Sequence, residues 1–250
     1  MLTTLLIALA TMSLLMCLVW VIYLRLNNPG IMDACWPIAI ALSACIFMGS
    51  PPWPPIQFML FGCLLLWAIR LSGYLLTTRV LKQHIEKRYL TLAAGWRLKA
   101  KWGFLGHFQC QGLLALLIAT PFIWIAQLPA PAYATYLALV LIIIGLLGET
   151  LSDYQLHRHK THYPGTLCDT GLWGYSRHPN YFFELMIWFG FGLAGFNIHP
   201  LSALSPCLLL FIMAKLTGPI TEKAALTSKG AAYEAYQQRT RMIIPWPKKK

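Results

Sequence analysis

Apolar positions in this chain fall in long unbroken runs, and the polar positions between them fall in short clusters. Seven such runs can be drawn, at about residues 2–24, 32–48, 56–78, 104–125, 133–152, 181–196 and 201–216. An α-helix needs about 20 mostly apolar residues to cross the hydrocarbon layer, so the pattern predicts about seven transmembrane helices. The breaks between runs carry turn chemistry: Asn27-Asn28-Pro29-Gly30, Ser50-Pro51-Pro52-Trp53-Pro54-Pro55, Leu128-Pro129-Ala130-Pro131-Ala132 and Asn197-Ile198-His199-Pro200. The last two runs are short for a bilayer, which implies tilt, local thinning or helices that extend into the flanking segments. The first run has neither a basic leading region nor a small-residue cleavage site and reads as a span. No internal repeat or linker is visible. The expected fold is all-α: one integral membrane domain over residues 1–250, with short juxtamembrane helices around 82–101 and 222–239.

Composition agrees: 58% of residues are hydrophobic and only 11% are charged, where a soluble domain carries about 25% charged residues. The net charge of +12 is distributed by topology. Arg79, Lys82, Lys87, Arg88, Arg97, Lys99 and Lys101 fill one loop, Arg158, Lys160 and Arg177 another, and the tail is basic again, while the loops between are neutral. By the positive-inside rule the basic side is cytoplasmic, so the N-terminus should face outward and the C-terminus inward. This explains the charge without a nucleic-acid partner. The expected partners are membrane lipids. Seven scattered cysteines without metal-ligand spacing predict neither disulfides nor zinc.

Chemistry concentrates in Asp169 to Glu184, D-T-G-L-W-G-Y-S-R-H-P-N-Y-F-F-E. Pro179 disfavours helix at His178 and suits a first helical turn, so a helix should start near Asn180. Asn180 and Glu184 then share one face, and Arg177 stands where an anion is welcome. The structural alternative is a loop whose Arg177 and His178 touch lipid headgroups while Trp173, Tyr175 and Tyr181 form an interfacial belt. Ionisable residues inside apolar runs are costly and mark function by default. Arg70 lies in the third run one turn before Tyr74, and its structural alternative is an ion pair with Asp33 or Glu149. Glu149 and Asp153 are also one turn apart, but no ligand-spaced histidine completes a metal site. Cations at Arg158, Lys160, Arg177, Arg239 and Arg241 around Glu149, Asp153, Asn180 and Glu184 suit a nucleotide: cations for phosphates, acids for ribose hydroxyls, Trp173 or Tyr175 for a ring. Neither GxGxxG nor GxxxxGK[ST] occurs, so such a ligand would be held by membrane helices.

G-L-W-G-Y-S-R-H-P-N-Y-F-F-E resembles the signature of bacterial membrane proteins related to steroid 5α-reductases. N-N-P-G-I-M-D-A-C-W, L-W-A-I-R-L-S-G-Y-L with E-K-R-Y, E-T-L-S-D-Y-Q-L, G-P-I-T-E-K and Y-Q-Q-R-T-R-M-I-I-P-W extend the resemblance over most of the chain. It implies a seven-helix reductase that holds NADPH in a cytoplasm-facing cavity and reduces the carbon–carbon double bond of a lipid-soluble enone. The same superfamily includes isoprenylcysteine carboxyl methyltransferases, which share an R-H-P-x-Y element, here Arg177 to Tyr181, and use S-adenosylmethionine; a non-enzymatic membrane module is the third reading. The resemblance implies that Glu149, Asp153, Lys160, Tyr175, Asn180 and Glu184 lie along the cofactor within a half spanning about 145–250, with Arg177, Arg239 and Arg241 near its phosphates and His178 and Tyr181 in the shared element. Tyr74 resembles the tyrosine that faces the substrate. The Gln-Glu pair that assists it in the steroid enzymes is missing, and Asp33 is the only acid in that region, so Tyr74, Asp33 and Arg70 form the expected catalytic group.

The charge pattern makes a direct prediction about topology. Reporter fusions placed after Pro51 and after Lys101 should read opposite compartments, the first periplasmic and the second cytoplasmic. The same compartment at both positions would refute either the helix count or the orientation.

Overall fold

The computed structural model describes residues 2–129 and 131–247, and among these the chain is helical throughout with one isolated strand-like pairing. The helices are α1 (Leu2–Leu26), α2 (Ile31–Met48), α3 (Pro55–Leu75), α4 (Lys87–Ala94), α5 (Ala100–Ile118), α6 (Pro121–Ile125), α7 (Tyr133–His162), α8 (Pro179–Phe196), α9 (Leu204–Phe211), α10 (Gly218–Lys229) and α11 (Ala231–Arg239). Among the described residues six helical runs are long and apolar enough to cross a membrane. This is an all-α polytopic membrane protein. The expected sixth span, α8, is 18 residues long but is not one of the six, since its first turns carry Asn180 and Glu184.

Helix ends follow local chemistry more than hydropathy. α7 runs on past the apolar stretch to His162 and stops at Tyr163, before Pro164 and a Gly165 with φ +80°. The fourth span breaks after Ile118 and resumes at Pro121, which takes the first helical position of α6. Two spans widen into π-helical turns. At Leu76–Val80 the hydroxyls of Thr77 and Thr78 donate to the carbonyls of Gly73 and Tyr74, competing with the backbone ladder. At Ile212–Thr217 the cause is Pro219, which has no N–H to give to the carbonyl one turn back, and the wider turn accommodates its ring.

The chain divides into two compact units. Unit 1 comprises Met1–Pro131 and Gly195–Leu204, and unit 2 comprises Ala132–Ala194 and Ser205–Lys250. In unit 1, α2 is the central helix, packed by α1, α3, α5 and α6. Its buried face carries Ala34, Ala39, Ala41, Ser43 and Ala44, small side chains that let neighbouring backbones approach where lipid gives no hydrophobic drive to associate. α1 buries only the stripe Ala8, Met12, Met16, Val19 and Tyr23, and Met16 sits so close to α5 that a Cβ on Gly112 would lie 2.7 Å from its Cγ. Much of the rest of α1 is exposed apolar surface, Leu14 at 71% for example, as suits a helix facing lipid.

Unit 2 is organised by the contact of α7 with α8. A Cβ on Gly145 would lie 2.9 Å from the carbonyl oxygen of Phe183, one on Gly148 2.3 Å from the Phe183 ring, and one on Gly190 2.8 Å from the carbonyl oxygen of Ala138. The three glycines therefore set the distance between the helices. That approach brings the face of α7 bearing Glu149 and Asp153 into the same unit core as Glu184 of α8, all three buried.

Candidate functional site

The stretch from Gly171 to His178 is a single 3-10 turn, Gly171–Gly174, running into a loop, so most of its backbone polar groups need partners from elsewhere. Three sources supply them. α7 holds the first part: Gln155 Oε1 accepts from the Leu172 amide at 2.9 Å, and Trp173 Nε1 donates to the Ser152 carbonyl at 2.9 Å. Gly171, with φ +59°, presses on Gln155 so closely that a Cβ would meet Oε1 at 2.6 Å, which makes glycine a requirement there. The C-terminal tail holds the second part. Arg177 and His178 donate their amides to the carbonyls of Arg241 and Met242 at 2.9 Å each, and the Trp246 amide returns a bond of 3.0 Å to Tyr175 O. Ser176 points its hydroxyl at the carbonyls of Met242 and Ile243, 3.1 and 2.7 Å away, and accepts from the His178 amide at 3.1 Å.

The third source is the side chain of Arg177. Its Nε donates to Glu222 Oε1 at 2.6 Å, and its Nη1 donates to the carbonyls of Thr240 at 2.5 Å and Gln237 at 3.2 Å. Gln237 Nε2 completes the group by donating to Glu222 Oε2 at 2.8 Å, and His178 Nε2 lies 3.4 Å from Glu222 Oε1. The pair is nearly dry, with side-chain exposures of 11% and 12%. One guanidinium thus ties the loop to α10 and to the end of α11. Tyr236 adds a buried hydroxyl that donates to the carbonyls of Trp173 and Ser176. Burial raises its pKa, and raises that of Tyr233 to about 12 with the Glu222 charge acting in the same direction. Both phenols stay neutral at physiological pH.

Other residues expected at the site are placed as follows. Glu149, Asp153 and Glu184 are buried, and Glu184 Oε1 accepts from Trp188 Nε1 at 2.8 Å. Asn180 occupies the first turn of α8, and its side-chain oxygen is buried with no hydrogen-bond partner among the described residues. The rings of His178 and Tyr181 stack at 4.8 Å. Tyr175 and Lys160 are exposed. Arg239 is paired with Asp169, and the Arg241 guanidinium lies over the Trp246 ring at 4.8 Å.

Unit 1 holds Tyr74, Asp33 and Arg70. Tyr74 and Arg70 lie one turn apart on α3, both partly buried. Asp33, at the start of α2, is heavily engaged: Oδ2 accepts from Arg79 at 2.7 Å and Arg88 at 2.5 Å, and Oδ1 accepts from Tyr89 at 2.7 Å. Burial, then the Asp33 charge, pushes the Tyr89 phenol well above its usual range, so it remains a donor. Asp33 therefore fastens the basic segment after α3 onto α2. The sequence reading assigned roles to Arg177 and Asp33 without finding the partners that engage them. The signals present were the acid of G-P-I-T-E-K, within a tail rich in Lys and Arg, and the tyrosine of E-K-R-Y.

Among the described residues no group of three or more His, Cys, Asp or Glu could hold a metal ion. What the geometry defines is a polar, hydrogen-bonded element that joins α7, the start of α8, α10 and the C-terminal tail. Residues 19–240 match the family DUF1295, described as a protein of unknown function, and the chain belongs to that family. No curated protein and no solved structure matches it.

Removing one partner from a buried ion pair costs about 3–5 kcal/mol. Arg177→Met and Glu222→Leu should each lower the unfolding midpoint in detergent substantially, and the double variant should lose less than the sum of the two. Single variants as stable as the parent protein would show that the pair is not what holds the loop.

Proposed function

We propose that this DUF1295 protein is a membrane-embedded, NADPH-dependent reductase of the carbon–carbon double bond of a lipid-soluble enone, related to the steroid 5α-reductases. It resides in a bacterial inner membrane with its C-terminus in the cytoplasm. The observation that carries the reading is Asn180. A buried acceptor without a partner costs about 1–3 kcal/mol, and a ligand amide or hydroxyl at Asn180 would recover that loss. The buried carboxylates of Glu149, Asp153 and Glu184 are further acceptors in the same unit, and the exposed Tyr175 offers a ring face. This donor-and-acceptor chemistry fits the ribose and amide groups of a nucleotide cofactor.

When bound, NADPH supplies the hydride. The chain's own residues then have separate tasks. Lys160 and Arg241 answer phosphate charge, Asn180 and the acids orient ribose and amide groups, and Arg177 positions the loop that carries them. On the substrate side Tyr74 donates a hydrogen bond to the enone carbonyl oxygen, where negative charge develops as the double bond is reduced. The membrane setting keeps bulk water from the reacting atoms.

A second reading, a methyltransferase using S-adenosylmethionine, gains weight from one finding. Arg177 and Arg239 are answered by Glu222 and Asp169, which leaves fewer cations for phosphates than the sequence alone suggests. S-adenosylmethionine has none to bind.

Calorimetric titration of both cofactors into the purified protein separates the two readings. NADPH should bind, Arg241→Gln should weaken it by about 1.5–3 kcal/mol as the loss of a charge-assisted hydrogen bond, and Asn180→Ala should weaken it without changing the charge. Binding of S-adenosylmethionine alone would move the assignment to the methyltransferase, and binding of neither would end both.

A further inference from the structure

Unit 1 carries a groove on its basic segment, backed by His107 whose ring meets that of Tyr89. It runs between the end of α4 with its following loop and the first turns of α5, has a volume of about 500 Å³, and is lined by Leu92, Trp96, Leu98, Trp102, Gly106 and Cys110 together with Arg97 and His107. That volume falls within the ~300–1,000 Å³ typical of ligand pockets. The walls are well fixed. Trp102 stacks on Trp20 with centroids 5.3 Å apart, and Trp20 Nε1 donates to the Lys101 carbonyl at 2.7 Å. Trp96 lies flat over Gly103, where a Cβ would come within 2.1 Å of its ring, and meets Phe104 edge-on at 4.9 Å.

The surface between these rings is apolar and open. Leu98 is 66% exposed, and a Cβ added at Gly106 would meet nothing within 4 Å. Arg97 lines it, and beside it Lys101 holds its ammonium over the Trp102 ring at 5.3 Å. The lining includes no acidic residue. Tryptophans and lysines at the start of a spanning helix mark the headgroup level of a bilayer, where acyl chains begin. An apolar groove at that depth, with Arg97 in its lining and Lys101 beside it, is complementary to an acyl chain bearing a negative head.

We infer that this groove binds an anionic phospholipid, with one acyl chain along Trp96, Trp102 and Gly106 and the phosphate against Arg97. The lipid seals the apolar walls that α4 and α5 leave open. It also couples the basic segment after α3 to the membrane surface, independently of the cofactor assignment.

Native mass spectrometry of the detergent-purified protein, titrated with phosphatidylglycerol and with phosphatidylcholine of the same chain length, tests this. Two variants separate chain from head. Gly106→Phe fills the groove where there is room for a side chain, and Arg97→Gln removes one exposed cation and leaves the walls intact. The parent protein should retain one phosphatidylglycerol in preference to phosphatidylcholine. Gly106→Phe should lose both lipids at an unchanged unfolding midpoint. Arg97→Gln should keep phosphatidylcholine and lose about fivefold of the preference, the effect of one basic side chain at an anionic surface. Parent-like lipid retention in Gly106→Phe, unaltered preference in Arg97→Gln, or a shift of Gly106→Phe from dimer to monomer with no change in bound lipid would each overturn the assignment. The last result would give the groove to a second copy of the chain.

Discussion

The ion pair of Arg177 with Glu222 is the interaction on which unit 2 depends. A loop between helices has no ladder to satisfy its amides and carbonyls, and an unpaired backbone there is costly. The tail satisfies them, but a tail of seven or so residues would fray unless something fixed its start. Arg177 does this from the loop side by holding the carbonyls of Gln237 and Thr240 where α11 ends, together with the carboxylate of α10. The planar guanidinium with donors in a fixed fork matches three acceptors at once, which a lysine ammonium on a flexible stem would not do with the same geometry. Glu222 in turn is held by Gln237 and approached by His178. The loop, α10 and the tail are therefore one cooperative polar network, and Asn180 sits one turn beyond it with its acceptor still open.

The same logic recurs in unit 1 with the charges reversed. There one carboxylate, Asp33, gathers two guanidinium groups and a phenol, fastening a basic surface segment to the central helix. In each unit a single charged group carries several hydrogen bonds to elements distant in the chain. The apolar packing that supports these groups is permissive of lipid on its outer face and uses alanine or glycine where helices cross, because close backbone contact replaces the hydrophobic drive that lipid removes.

Much of the fold was legible in the sequence, because the bilayer demands apolar runs of a given length and proline-rich breaks declare where they end. The helix ends were less so. α7 extends to His162 because nothing before Pro164 stops it, and the π-helical turn at 212–217 comes from Pro219, a residue that hydropathy does not register. The candidate site was legible as residue types and not as partnerships. Arg177 reads as an anion site when seen beside Pro179 and Asn180, yet its acceptors lie 45, 60 and 63 residues further on. Asp33 reads as a lone acid near a missing dipeptide, yet Arg79, Arg88 and Tyr89 converge on it from 46 to 56 residues away. A sequence states which charges exist, and only the fold states which of them are already answered.

The clasp of the signature loop by the tail is most directly measured by hydrogen exchange at single amides. In the intact protein the amides of Arg177, His178 and Trp246 should exchange as slowly as those inside α8, since each is bonded to a carbonyl across the clasp. In Glu222→Gln all three should speed up together while the α8 interior stays protected. Fast exchange at Arg177 and His178 in the unaltered protein would contradict the account, because a loop held by the tail cannot leave those amides open to water.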